Sequence, residues 1–228
     1  MARDHLIGNY SVAIGFYIRF ILLYLLLRLV TSSFFGLPTI AGFVISVVTY
    51  IAVITVVYMI KAGLCSVFMK INCGINPLKR DLYFGFSHMP KRTFSCSIIL
   101  ATIEALLLMI PAEIYSYLST AEGLQYIIML LIIDGIGYVI YTYISICFSQ
   151  VFFLMNDFPD KTASELMILS NWLMKGQKLK YLFFILSFIP MHILGFFSMF
   201  IGYIWISPYI LTSKTCYYLD LVKSKTAQ

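Results

Sequence analysis

From residue 40 to residue 60 the chain carries no charged side chain. A run of about 20 mainly apolar residues is what an α-helix needs to cross the hydrocarbon core of a bilayer. Comparable runs recur at 12–32, 94–117 and 124–147, and a longer one begins at residue 181. Composition agrees: 61% of the 228 residues are hydrophobic and only 11% are charged, against about 45–50% and about 25% in soluble domains. A soluble globule of this composition would expose apolar area far beyond the few hundred Å² that soluble monomers carry, and a disordered chain is excluded by the same numbers. The chain is therefore read as all-α, a single polytopic membrane helix bundle over residues 1–228.

The net charge of +6 matters through its placement. Lys61, Lys70, Lys79, Arg80, Lys91 and Arg92 follow the second run. Lys161, Lys175, Lys178 and Lys180 follow the fourth, and Lys214, Lys223 and Lys225 close the chain. The short links 33–39 and 118–123 hold no Lys or Arg. Positive loops stay in the cytoplasm, so an even number of spans is expected, with both termini cytoplasmic. The reading is six spans, about 12–32, 40–60, 94–117, 124–147, 181–197 and 203–221, arranged as three hairpins. The first run carries Arg19 and Arg28 and lacks a small-residue cleavage site, so it is expected to stay as a span rather than be cleaved as a signal peptide.

Each hairpin has a glycine-containing lead-in (6–10, 83–86 and 173–177) and an aromatic patch at its end (65–68, 150–153 and 215–218). A weak threefold repeat is expected, as in many transporters. Leu166, Leu169 and Leu173 recur at helical spacing with Trp172 beside them, which predicts an interfacial amphipathic helix over 163–176, capped by Ser164. A turn is expected at 157–160, another at 72–77, and a short helix at 78–86. Lys79, Arg80, Lys91, Arg92, Trp172, Lys175, Lys178 and Lys180 form a candidate interfacial docking set. It suits the lipid bilayer, anionic lipids in particular, or a membrane-protein partner or second copy of the chain. Nucleic acid is not an expected partner.

The segments Ser170-Asn171-Trp172-Leu173-Met174-Lys175-Gly176, Leu186-Ser187-Phe188-Ile189, Ile201 to Tyr209 with Trp205 and Pro208, and Tyr217-Tyr218-Leu219-Asp220-Leu221 resemble an uncharacterised bacterial integral-membrane family, DUF975. The starts at Leu6…Gly8-Asn9 and Gly85-Phe86 are also similar. The resemblance implies a six-helix protein of the bacterial cytoplasmic membrane. It implies no reaction, substrate or catalytic residue.

No phosphate-binding loop, nucleotide-binding glycine cluster or paired-histidine helix occurs. His5, His88 and His192 are far apart. No catalytic residue, metal site or cofactor is expected, and the protein is read as not an enzyme. Cys65, Cys73, Cys96, Cys147 and Cys216 all fall on the expected cytoplasmic side, where thiols stay reduced, so no disulfide is expected.

The ionisable groups inside the runs carry the functional signal. A charge at the bilayer centre costs about 2.5–3.5 kcal/mol on insertion scales and usually finds a partner. Arg19, Glu104, Asp134 and His192 fall at similar depths on four spans. Asp134, Tyr138, Tyr141 and Ser145 share one helix face, and Ser97 shares one with Glu104. Gly135 and Gly137 beside Asp134, and Gly8, Ser11 and Gly15 on the Arg19 side of the first span, would let helices approach closely. Arg19 is expected to pair with Glu104, Asp134 or both. Arg28 and Glu113 lie nearer the other face and out of phase, with Arg28 snorkelling. The cluster reads either as a clasp or as a polar cavity that binds or moves a small solute, lipid or peptide. The rival reading is an accessory or immunity-type subunit that docks another membrane protein through its basic loops.

Overall fold

The computed structural model describes residues 10–33, 39–87, 90–118, 124–199 and 201–226. The first lead-in (6–9), most of the two short links, His88 and residue 200 lie outside that set. All described secondary structure is helical. Helix α1 is Tyr10–Ser32 and α2 is Ile40–Asn72. A 3-10 turn at Lys79–Tyr83 and a single helical turn at Phe84–Ser87 follow. Helix α3 (Pro90–Glu104) continues through a π-helical turn at Ala105–Met109 into α4 (Ile110–Leu118). Then come α5 (Leu124–Cys147), α6 (Val151–Asp157), α7 (Ala163–Leu173), α8 (Lys178–Leu186), α9 (Ile189–Phe197) and α10 (Tyr203–Thr226).

Five segments are long and apolar enough to cross a membrane: Tyr10–Ser32, Ile40–Asn72, Pro90–Ile114, Leu131–Asp157 and Lys178–Phe197. This is one fewer than the six expected. The sixth expected span is present as α10, a helix of 24 residues. Its second half, with Lys214, Asp220, Lys223 and Lys225, keeps it below the apolarity of the others. The fifth expected span is divided into two helices by a turn at Ser187 and Phe188, just before Pro190, where the backbone angles stay right-handed helical.

Helix α2 also departs from expectation. It runs 33 residues, roughly 50 Å at 1.5 Å per residue, well past residue 60. From Ala62 to Met69 every residue is buried. A helix that is apolar all round can remain folded only where other elements enclose it, and this half of α2 is enclosed by α1, α3, α6, α10 and the 79–87 segment. It ends at Asn72. Gly74 then takes a positive φ of 72°, and the Ile75 amide donates back to the Lys70 carbonyl.

Two glycines bring the 79–87 segment onto α2. A Cβ at Gly63 would sit 1.8 Å from the Leu82 carbonyl oxygen, and one at Gly85 would sit 2.5 Å from that of Met59. The core follows from this arrangement. Phe152, Phe153, Leu154, Met155, Leu166, Leu173, Tyr181 and Tyr218 pack with Cys65 and Cys96, and Phe16 and Leu82 pack with Leu64 and Phe68. The packed core thus sits at the lysine-rich end, while Leu22, Leu25, Leu29, Val44 and Val48 at the other end of α1 and α2 remain exposed.

The amphipathic helix is present as α7, with Leu166, Ser170 and Leu173 inward. Its cap is Thr162 rather than Ser164. The Thr162 hydroxyl accepts from the Glu165 amide and the Glu165 carboxylate accepts from the Thr162 amide, a capping box. All five cysteines are free.

Candidate functional site

Glu104 ends the regular part of α3, just before the π-helical turn. Single π-helical turns recur at functional sites. The Tyr50 hydroxyl donates to its Oε1 at 3.0 Å, and the Tyr58 hydroxyl donates to Oε2 at 2.6 Å. Tyr141 of α5 also donates to Oε2 at 3.3 Å. The Tyr58 and Tyr141 hydroxyls are 3.2 Å apart. One carboxylate therefore takes three phenols from two neighbouring helices. An ionised carboxylate is an acceptor only, with about four lone-pair sites, so the three donors match what it needs once water is removed.

The close approach of α5 is set by Gly137. A Cβ there would lie 2.5 Å from the Leu107 carbonyl oxygen inside the π-helical turn. Gly15 and Gly135 meet nothing within 4 Å of a built Cβ, so they do not serve the contacts expected of them.

Tyr50 connects this network to a second feature. The Arg28 guanidinium lies 5.9 Å from the centre of the Tyr50 ring, within cation–π range. Arg28 and Tyr50 line a cavity of about 840 Å³ between α1, α2 and the 105–112 segment, with Ser46, Leu25, Leu29, Leu108 and Met109. That volume is within the roughly 300–1,000 Å³ typical of ligand pockets. Behind Ser46 lies Glu113, fully buried, with Oε1 3.0 Å from the Ser46 hydroxyl. On the lysine-rich side of the tyrosines a small cavity of about 40 Å³ is lined by Tyr58, Lys61, Tyr141, Ser145 and Ser149. The Lys61 ammonium is 5.3 Å from the Tyr58 ring centre.

The expected cluster is thus redrawn. Glu104 and Tyr141 come together. Arg19 does not join them: it is exposed on α1, its guanidinium 5.6 Å from the Phe16 ring centre, and among the described residues it makes no ion pair with Glu104 or Asp134. The tyrosines already supply the donors that Arg19 was expected to give. Asp134 is half-buried and Tyr138 is exposed on α5. His192 is exposed on α9 beside Tyr203, whose hydroxyl donates to the His192 carbonyl. Tyr50 and Tyr58 are not marked in the sequence because span two carries no charge, and Arg28 reads there only as a snorkelling residue. Yet Ser46, Tyr50, Tyr58 and Lys61 fall at i, i+4, i+12 and i+15, close to one helix face, a signal present in the sequence.

Of the expected docking set, Arg92 is half-buried and bonded within the chain. It donates to the carbonyls of Met155, Phe158 and Lys161 at 2.8, 3.0 and 3.0 Å, and to that of Pro159. Lys178 donates to the Tyr143 hydroxyl at 3.0 Å. Lys79, Arg80, Lys91, Trp172, Lys175 and Lys180 are exposed, with the Lys225 ammonium 5.6 Å from the Trp172 ring.

A model of the family described as "Protein of unknown function (DUF975)" matches residues 16–225. The chain belongs to the DUF975 family. No curated protein and no solved structure matches it significantly. The matched DUF975 region contains the whole of the Glu104 network, the Arg28 cavity and the interfacial helix α7. Apolar helices and family membership together mark a membrane protein.

Proposed function

We propose that this DUF975 protein is a non-enzymatic, multi-pass protein of the bacterial cytoplasmic membrane, with both termini cytoplasmic, that binds an anionic membrane lipid in the cavity between α1, α2 and α4. The observation that carries this reading is the cavity itself. Leu25, Leu29, Leu108 and Met109 supply an acyl-compatible wall, and among the described residues Arg28 is the one cation lining it. A cation facing the hydrocarbon is costly unless an anion meets it, and a guanidinium is the side chain best matched to phosphate or carboxylate oxygens.

The test is native mass spectrometry of the detergent-purified protein with an anionic and a zwitterionic lipid of equal chain length. Preferential retention of the anionic lipid is expected. Arg28→Ala should reduce that preference at least about tenfold, equivalent to about 1.4 kcal/mol. Equal retention of both lipids, or an Arg28→Ala protein that retains the anionic lipid like the parent, overturns the reading.

The accessory-subunit reading rests on a different surface. Ile168 and Trp172 stand exposed on the outward face of α7, with Lys161 and Lys175 at its ends. Its mark would be a stoichiometric protein partner in the same preparation.

A further inference from the structure

We propose that Glu104 is a proton-exchange site, loaded and unloaded from the lysine-rich end of the bundle through the Tyr58–Tyr141 pair and the small cavity beside it. The site goes beyond lipid binding and does not require it, since none of the groups that carry the proton lines the Arg28 cavity.

The argument begins with the donors. Tyr141 has two acceptors in reach, Oε2 of Glu104 at 3.3 Å and the Tyr58 oxygen at 3.2 Å. Tyr58 has Oε2 at 2.6 Å. Either phenol can donate to the other, so the network has three arrangements. In one, both phenols donate to the carboxylate. In the other two, one phenol donates to its neighbour and only that neighbour donates to Oε2 of Glu104. These two leave lone-pair capacity on the carboxyl group and use every phenol proton. A carboxyl that must gain or lose a proton needs such an alternative, because a buried polar group left unpaired costs about 1–3 kcal/mol.

The route follows from the cavities. The small cavity touches both Tyr58 and Tyr141 and continues to Ser145, Ser149 and Lys61. Its volume of about 40 Å³ has room for up to about three waters at 10–15 Å³ each, and its lining supplies the polar partners that such waters need. In the transfer step, hydronium from the aqueous phase at the lysine-rich end passes a proton to a phenol oxygen. That oxygen's own proton moves to Oε2 of Glu104. One O–H bond forms and one breaks at the phenol, and the carboxylate becomes a carboxylic acid. Release is the reverse, with water as the acceptor.

The charged and titratable groups around Glu104 are named by element. Helix α1 contributes Arg28 through the Tyr50 ring. Helix α2 contributes Tyr50, Tyr58 and Lys61, and α5 contributes Tyr141, with Tyr138 and Asp134 farther along the same helix. No cation lies within 4.0 Å of the carboxylate among the described residues. A proton is therefore the positive charge that this site can acquire without a change of fold.

Infrared difference spectroscopy of the full-length protein in detergent is the test. The acid-minus-neutral difference spectrum should contain a protonated-carboxyl band that is absent in Glu104→Gln. After a jump into D₂O, deuterium should enter this band rapidly in the parent. In the Tyr58→Phe/Tyr141→Phe double variant entry should slow about 100-fold, the low end of what a positioned proton-transfer group contributes. Tyr143→Phe, exposed on α5 and outside the Glu104 network, should leave the rate unchanged. No Glu104-dependent band, or unchanged exchange in the double variant, overturns the proposal. So does equal slowing by Tyr143→Phe. If the double variant does not fold, the single tyrosine variants decide: at least one must slow the exchange, and if neither does the proposal fails.

Discussion

Asp81 shows how one residue ties loop to helix. It is 4% exposed in the 79–83 turn, with the Lys70 ammonium 2.8 Å from Oδ1 and the Leu78 amide 2.7 Å from Oδ2. Burial pushes its carboxyl upward, but the bonds from Lys70 and Leu78 and the charges of Lys70 and Arg80 outweigh it, so the net displacement is below the usual carboxylate range. The folded state then binds this proton less readily than the unfolded chain. Its stabilising contribution is present above the unfolded value of about 3.9 and is lost as pH falls through the lower folded value. Asp81→Asn should lower the thermal midpoint at pH 7 by about 2–4 °C, the shift that about 1 kcal/mol produces in a chain of this size. Thermal unfolding at pH 7 and again near pH 2 checks it: the gap between variant and parent should close in acid, and a gap that persists there removes Asp81 ionisation as its cause. At this scale the sequence marked Glu104 and Tyr141, which the structure brings into contact. It misplaced Arg19, because depth along a span can be counted from the chain while the rotation of one helix about its axis relative to another cannot.

At the scale of elements, Arg92 replaces a surface role with a structural one. Its guanidinium gathers four carbonyls at and beyond the end of α6. Those groups have no intrahelical partner of their own, because a helix leaves its last carbonyls free. A single lysine ammonium lacks the planar fork that reaches several acceptors at once. Arg92→Ala and Arg92→Lys should therefore both destabilise the 155–162 segment, each hydrogen bond lost costing about 0.5–1.5 kcal/mol. Limited proteolysis should nick that segment faster in both variants, and Lys91→Ala should match the parent. If Arg92→Lys resists protease like the parent, the fork is not what holds the segment. Element boundaries were readable where a local signal exists, as at the α7 start and the 72–77 turn. The extension of α2 to Asn72 was not, because what keeps those residues helical is the set of distant elements packed around them.

For the molecule as a whole, the open question is on which side the chain ends, since α10 is long enough to span but less apolar than the other five segments. The positive charges of the loops predict that α10 crosses and that the C-terminus is cytoplasmic. With an impermeant thiol reagent on intact cells, in a background with the native cysteines replaced, Ser33→Cys should label and Lys225→Cys should not. Labelling at Lys225→Cys together with Ser33→Cys would mean five crossings. The whole-molecule packing also explains where chemistry can sit. The core is concentrated at the lysine-rich end, so the opposite end of α1, α2 and α4 is left with space, and the Arg28 cavity occupies it.

The sequence by itself determined the solvent and the class of fold. Transfer from water to lipid depends on composition summed over about 20 residues, a quantity that needs no knowledge of neighbours. It also carries an expectation of which ionisable residues fall mid-way along a span, from the rise per residue of a regular helix. Only the tertiary structure decided which of them meet. Whether Glu104 faces Arg19 or three tyrosines depends on helix rotation, on the π-helical turn after Glu104 and on the close approach at Gly137. Each of these is set by contacts between residues far apart in the chain, so no local pattern could carry the answer.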